Sequence, residues 1–144
     1  MHLQTRVYIK TALIQLVISM LLGALLLLNS VWRVPYIGQL LPVYYHILML
    51  GWVTQLIFGV ALWLFPVLSR EQPRGDERVG WFAYGALNIG LGLRAIAEPA
   101  HALAPQPWSA VALGAAAILQ IAAMWALVIA LWPRVKSTKR AGAQ

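Results

Sequence analysis

Apolar positions in this chain fall into four long runs with few polar interruptions, covering residues 7–31, 42–67, 79–97 and 108–132. Each is close to the roughly 20 residues an α-helix needs to cross a hydrocarbon layer about 30 Å thick. A bilayer offers no water to backbone N–H and C=O groups, so the runs predict helices rather than strands. Prolines mark their limits. Pro42 suits the first turn of the second helix, and Pro66 stands at its far end. Pro99 is expected to end the third helix near Glu98, and Pro133 the fourth. The segment 69–78 is short and charged and reads as a solvated turn. The segment 32–41, with Pro35, Tyr36 and Gly38, reads as interfacial. The expected fold is all-α: one domain, a four-transmembrane-helix bundle.

Composition sharpens that picture. Of 144 residues, 61% are hydrophobic and 10% charged, which a soluble domain of this size could not arrange around a core. The chain has no cysteine, which excludes disulfides, thiolate ligands, iron–sulfur clusters and cysteine nucleophiles. Any metal must be held by histidine, carboxylate, methionine or backbone. The net charge of +7 does not indicate nucleic acid, because the basic residues gather at the ends of apolar runs. Arg6, Lys10, Arg70, Arg74, Arg78, Arg134, Lys136, Lys139 and Arg140 share one side, against Arg33 on the other. That bias predicts both termini in the cytoplasm, of a bacterial inner membrane in the expected setting. The first apolar run exceeds the ~7–15 residues of a signal-peptide core and has no A-x-A site after it, so it reads as a retained helix. His2 reads as part of a disordered terminus.

Within the second run, His46 is the residue most in need of explanation. An imidazole in hydrocarbon must find a hydrogen-bond partner or a ligand. Metals and haem iron are frequent ligands of such a histidine; packing against a neighbouring helix is the plainer alternative. By helical spacing His46 points away from Gln55, and Met49, Leu50, Val53 and Ile57 continue its face as an apolar wall. Gly51, Gln55, Gly59 and Trp63 form a small-and-polar stripe suited to close helix contact. Gln15, Ser19 and Gly23 in the first run, Gly85 and Asn88 in the third, and Ala110, Gly114, Ala117 and Gln120 in the fourth read the same way. In the third run Arg94, Glu98 and His101 are spaced i, i+4 and i+7. Arg94 either pairs with Glu98 or binds an anion such as a haem propionate, a role Arg33 could also fill. His101 is a candidate second ligand, or an interfacial loop residue.

The pattern His46-x4-Gly51-Trp52, running on through Gly59 to Phe65-Pro66, resembles the haem-ligating second helix of haem-copper oxidase catalytic subunits. It is most similar to the nitric oxide reductase branch and related small membrane haem proteins. The resemblance spans residues 42–66 and implies one role: His46 as axial ligand of a b-type haem. The departures are large. That superfamily's catalytic subunits have many more helices and further histidines for a binuclear centre, whereas this chain has only His2, His46 and His101.

Two functions remain. One is an integral membrane haem b protein for electron transfer, haem handling or diatomic-gas binding, with His46 as ligand and the second position filled by His101, by His46 of another copy, or left open. The other is a non-haem accessory or assembly subunit of a membrane complex; a second copy or a respiratory-type membrane protein is the candidate partner. The first run lacks the buried carboxylate of dual-topology exporters, and the second lacks the charged, Asn-rich pattern of small glutathione-handling membrane enzymes. Whether the protein turns over a substrate is left open by the sequence.

Overall fold

The computed structural model describes residues 2–66 and 76–135, and these are helical with no strand among them. Helix α1 covers Leu3–Trp32. Helix α2, Ile37–Leu64, is composite. It begins as a 3-10 turn at Ile37–Leu40 and becomes α-helical over Leu41–His46. It widens to a π-helix over Ile47–Thr54 and returns to α over Gln55–Leu64. Helix α3 covers Glu77–Leu103, and α4 covers Pro107–Leu131 with a 3-10 turn at Trp132–Arg134. Helices α1, α2 and α4 are long and apolar enough to cross a membrane. α3 is as long but richer in glycine and polar residues. The expected turn at 69–78 lies mostly outside the described residues, as do Val67 and the basic tail 136–140.

Each helix end has a local cause. The His2 ring accepts from Gln4 N–H at 3.4 Å, and its Nε2 lies 3.2 Å from Glu77 Oε1. The residue expected to be disordered therefore caps α1. At the other end Arg33 adopts φ 50° and sends its N–H to Asn29 O at 2.9 Å, and Tyr36 adopts φ 75°. Two non-glycine residues in left-handed conformation cost on the order of 1–2 kcal/mol each and make the reversal sharp. Pro42 occupies the first turn of the α-helical part of α2, as expected. α3 starts on Asp76, whose side chain accepts from Arg78 N–H at 2.9 Å. α4 starts on Gln106, with Pro107 in its first turn and a reciprocal cap through Ser109.

Pro99 does not end α3, contrary to the sequence expectation: the helix continues through it to Leu103. A proline removes one i→i−4 bond and crowds one carbonyl, which a helix packed among neighbours can absorb. The turn beyond it is fixed by Ala104 N–H to Ala100 O at 3.0 Å and by His101 bonding to Ser109 of α4.

Consecutive helices run antiparallel. Tyr8 near the start of α1 packs with Leu62 near the end of α2, Ala83 early in α3, and Leu127 and Leu131 late in α4. Further along, Ala86, Leu87 and Leu91 of α3 meet Ala123 of α4, with Leu50 of α2 against them. Glycines permit the closest approaches. A Cβ on Gly59 would meet Tyr8 Cβ at 3.0 Å and Ile9 Cγ1 at 3.1 Å, and one on Gly90 would meet Ala116 O at 3.1 Å. The expected stripes hold for Gly51, Gln55 and Gly59 but not for Trp63, which is exposed. On α4 the buried face is Ser109, Ala116, Gln120, Ala123 and Leu127 rather than Ala110 and Gly114. Gly85 on α3 likewise faces open space.

A ladder of polar contacts joins the helices from the end where α1 begins up to mid-span. Gln4 Nε2 donates to Glu77 O at 3.1 Å, and Tyr8 Oη donates to Gly80 O at 2.7 Å. Thr11 Oγ1 and Tyr84 Oη are 2.7 Å apart. Gln55, fully buried, donates to Tyr8 O at 3.4 Å and accepts from Asn88 Nδ2 at 3.2 Å. At the base, buried Arg134 donates to the last carbonyls of α2: Leu62 at 3.2 Å, Phe65 at 2.6 Å and Pro66 at 3.1 Å. Read from sequence as a topology anchor, Arg134 is a cap for a different helix.

Candidate functional site

His46 closes the first α-helical stretch of α2, immediately before the π-helix. Its Nδ1 lies 2.8 Å from Pro42 O. A carbonyl can only accept, so Nδ1 carries the proton and the neutral ring leaves its lone pair on Nε2. This is the tautomer found in metal-bound histidines, where the far ring nitrogen donates to a carbonyl or carboxylate. The contact is built by sequence: a histidine four residues after a helix-starting proline sits one turn above that proline's carbonyl.

The π-helix that follows is held by Thr54 Oγ1 donating to Met49 O at 2.7 Å and by Gln55 N–H bonding to Leu50 O. Such widened turns are uncommon and cluster at functional sites. Here the π-stretch carries Gly51 against the Gln15 side chain, Met49 exposed beside His46, and Leu50 reaching from the groove to the core between α3 and α4. Tyr45, His46, Met49 and Leu50 together line an open groove of about 310 Å³. Tyr45 and Met49 are each more than half exposed at its rim. The wall expected along the His46 face is present in its first turn, and Gln55 faces α1 and α3 instead, as the spacing predicted.

The other candidate residues do not line this groove. His101 lies on α3, not in a loop, with Nδ1 2.8 Å from Ser109 Oγ. Ser109 Oγ donates to Gln106 O at 2.8 Å, so it accepts from His101, and this ring also keeps its proton on Nδ1 and its lone pair on Nε2. Arg94 pairs with Glu98, Nη1 to Oε1 at 3.2 Å, both side chains being mostly buried. Arg94 Nε and Glu98 Oε2 are buried with no hydrogen-bond partner among the described residues, so each half of the pair has spare capacity. Arg33 is exposed at the end of α1. Among the described residues no group of three or more histidine or acidic side chains is placed to hold a metal ion. What the His46 groove offers is a single ring nitrogen lone pair beside an apolar wall.

Sequence reasoning missed a second groove. Gln120, Ala117, Ile121, Met124 and Trp125 of α4 and Leu50 of α2 enclose about 300 Å³ of open space. It meets the His46 groove at Leu50, which lines both. The sequence signal was present in Gln120, a lone amide in an apolar run, but its small neighbours made it resemble a packing stripe. No known protein family, curated protein or solved structure matches the chain.

Proposed function

We propose that this chain is an integral membrane haem protein in which His46 Nε2 is an axial ligand to a b-type haem lying against Tyr45, Met49 and Leu50. The observation that carries the reading is the 2.8 Å contact of His46 Nδ1 to Pro42 O, which orients the ring and frees Nε2 above an apolar groove. Bound there, haem iron supplies a one-electron couple or a position for a diatomic ligand, depending on whether a sixth ligand is present. His46 holds the metal side, Met49 and Leu50 exclude water from the ring, and Pro42 O fixes the proton. Arg94, with its spare Nε, and Arg33 are the candidate partners for propionates. His101 has a ligand-competent tautomer and is the candidate sixth ligand within the chain, a second copy's histidine being the other source.

In this reading all four helices cross the bilayer. α3 does so shielded by its neighbours, since its buried residues recur along its length from Gly80 to Ala97. The distribution of basic residues supports both termini in the cytoplasm of a bacterial inner membrane. The test is the reduced-minus-oxidised absorption spectrum of detergent-purified protein beside His46→Ala and His101→Ala. The expected result is a low-spin b-type spectrum in the parent that is lost in His46→Ala, with helicity by circular dichroism retained. A colourless parent from haem-replete cells refutes the reading and leaves the accessory-subunit role.

A further inference from the structure

The polar contacts between α1 and α3 keep one register up to mid-span. Gln4 meets Glu77 and Thr11 meets Tyr84, each pair 73 residues apart in sequence. The next pair in that register is Gln15 and Asn88, and it does not close. Asn88 Nδ2 donates instead to Gln55 Oε1 at 3.2 Å and to Tyr84 O at 2.9 Å, which uses both amide hydrogens. Gln15 is left without a hydrogen-bond partner among the described residues, and neither its Oε1 nor its Nε2 is sealed from a water-sized neighbour. Here the two helices part around a pocket of about 270 Å³. Gln15 and Ile18 of α1, Ile47 of α2, and Asn88, Leu91 and Gly92 of α3 line it.

Gln15 is held at this level. It lies 12 residues beyond Leu3 in a helix of 30 residues, about 18 Å along a length of about 45 Å. Its stem packs on α2, where a Cβ on Gly51 would meet Gln15 Cγ at 3.2 Å and Cδ at 3.1 Å. An amide at that depth is costly unless something polar stands beside it, because hydrocarbon can neither donate nor accept. Size and chemistry select the occupant. One turn of a helix about 10 Å across displaces about 420 Å³, more than the pocket holds, so a partner helix does not enter it. An acyl chain brings neither donor nor acceptor. A water needs only about 10–15 Å³ of such space and both donates and accepts. We propose that this pocket binds a small cluster of waters within the bilayer, Gln15 Nε2 donating to one and Gln15 Oε1 accepting from another, with the waters bonding among themselves. The site goes beyond the haem reading and does not rest on it.

The test uses the full chain in lipid bilayers with ¹⁵N in its glutamine side chains. Solid-state NMR reads how fast magnetisation passes from water protons to each side-chain amide. The Gln15 signal is identified by its loss in Gln15→Leu, or in Gln15→Met if leucine disturbs the packing on Gly51. The expected result is transfer to Gln15 several-fold faster than to Gln55, which is fully buried. Gly92→Leu adds a side chain where a Cβ has open space at the pocket wall, and slows transfer to Gln15 to near the Gln55 rate. Transfer to Gln15 in the parent as slow as to Gln55 overturns the proposal, whether or not Gly92→Leu folds. Transfer that comes from acyl-chain protons, or from a differently labelled second copy, also overturns it, as does fast transfer left unchanged by Gly92→Leu. Haem content of the same samples is read separately, so a colourless protein with a hydrated Gln15 refutes the haem reading and leaves this site intact.

Discussion

Removing the Arg134 guanidinium tests how the ends of α2 and α4 are locked together. Three hydrogen bonds run from Arg134 to the carbonyls of Leu62, Phe65 and Pro66, at 3.2, 2.6 and 3.1 Å. The side chain is 2% exposed. Leu62 lies in the last turn of α2, where helix geometry leaves its carbonyl no intrahelical partner, and Phe65 and Pro66 follow directly beyond the helix end. Hydrogen bonds to a charged group contribute about 1.5–3 kcal/mol each. Desolvating the guanidinium offsets several kcal/mol of that. A net loss of about 3 kcal/mol is expected for Arg134→Met, on the order of a hundredfold in the unfolding constant. Arg134→Lys keeps the charge but has no planar fork to span three carbonyls, so it should recover less than half of the loss. The assay is reversible unfolding in mixed micelles of rising SDS fraction, followed by circular dichroism. If Arg134→Met unfolds within 0.5 kcal/mol (about twofold) of the parent, or Arg134→Lys matches the parent, the cap is not a main tie between α2 and α4.

Two further outcomes follow from the helix contacts. Gly59→Val pushes a branched side chain into Tyr8 Cβ and Ile9 Cγ1, and overpacking of that kind costs about 1–3 kcal/mol. Gly114→Ala, with open space around its Cβ, should instead gain up to about 1 kcal/mol from helix propensity; equal effects of the two in the SDS titration would refute the assigned α1–α2 contact. A double-mutant cycle of Gln55→Leu and Asn88→Leu should give a coupling of about 0.6–1.7 kcal/mol, the range of interhelical hydrogen bonds in membranes, and zero coupling would exclude the 3.2 Å bond as a contributor.

The helices were legible in the sequence because bilayer thickness and backbone satisfaction leave apolar runs of this length no alternative. Their faces were less so. Gly51, Gln55 and Gly59 were recognised because glycine and a lone amide stand out at four-residue spacing. The buried face of α4 was read correctly at Gln120 but misplaced at Ala110 and Gly114, because small residues recur all round this helix and do not by themselves mark its packed side. Pro99 misled because local rules end helices at proline, whereas a histidine two residues on finds Ser109 across the next turn and holds the helix together. The His46–Pro42 contact follows from i→i+4 spacing and was available from sequence. Arg134 and Gln120 were not, because what they meet, or fail to meet, lies on other helices.

The distribution of satisfied polar groups argues for where the chemistry of this molecule sits. From the chain's start to mid-span, Gln4, Tyr8, Thr11 and Gln55 each have a hydrogen-bond partner on another helix, and Arg134 adds a cap at the same end. From mid-span onward the pattern changes. Gln120 Nε2, Asn88 Oδ1, Arg94 Nε, Glu98 Oε2 and Asn29 Oδ1 are buried without partners among the described residues. Such groups are expensive in a membrane and are retained where something else completes them. His46 and the π-helix fall in that same half, and glycine contacts clamp α1 to α2 along both halves, at Gly23 against Tyr44, Gly51 against Gln15 and Gly59 against Tyr8. The upper half thus combines paired groups, His46 with Pro42 O, Arg94 with Glu98 and His101 with Ser109, with unpaired atoms beside them. Replacing one partner of each pair there should cost less in the SDS titration than breaking the ladder below, where every rung ties two helices together.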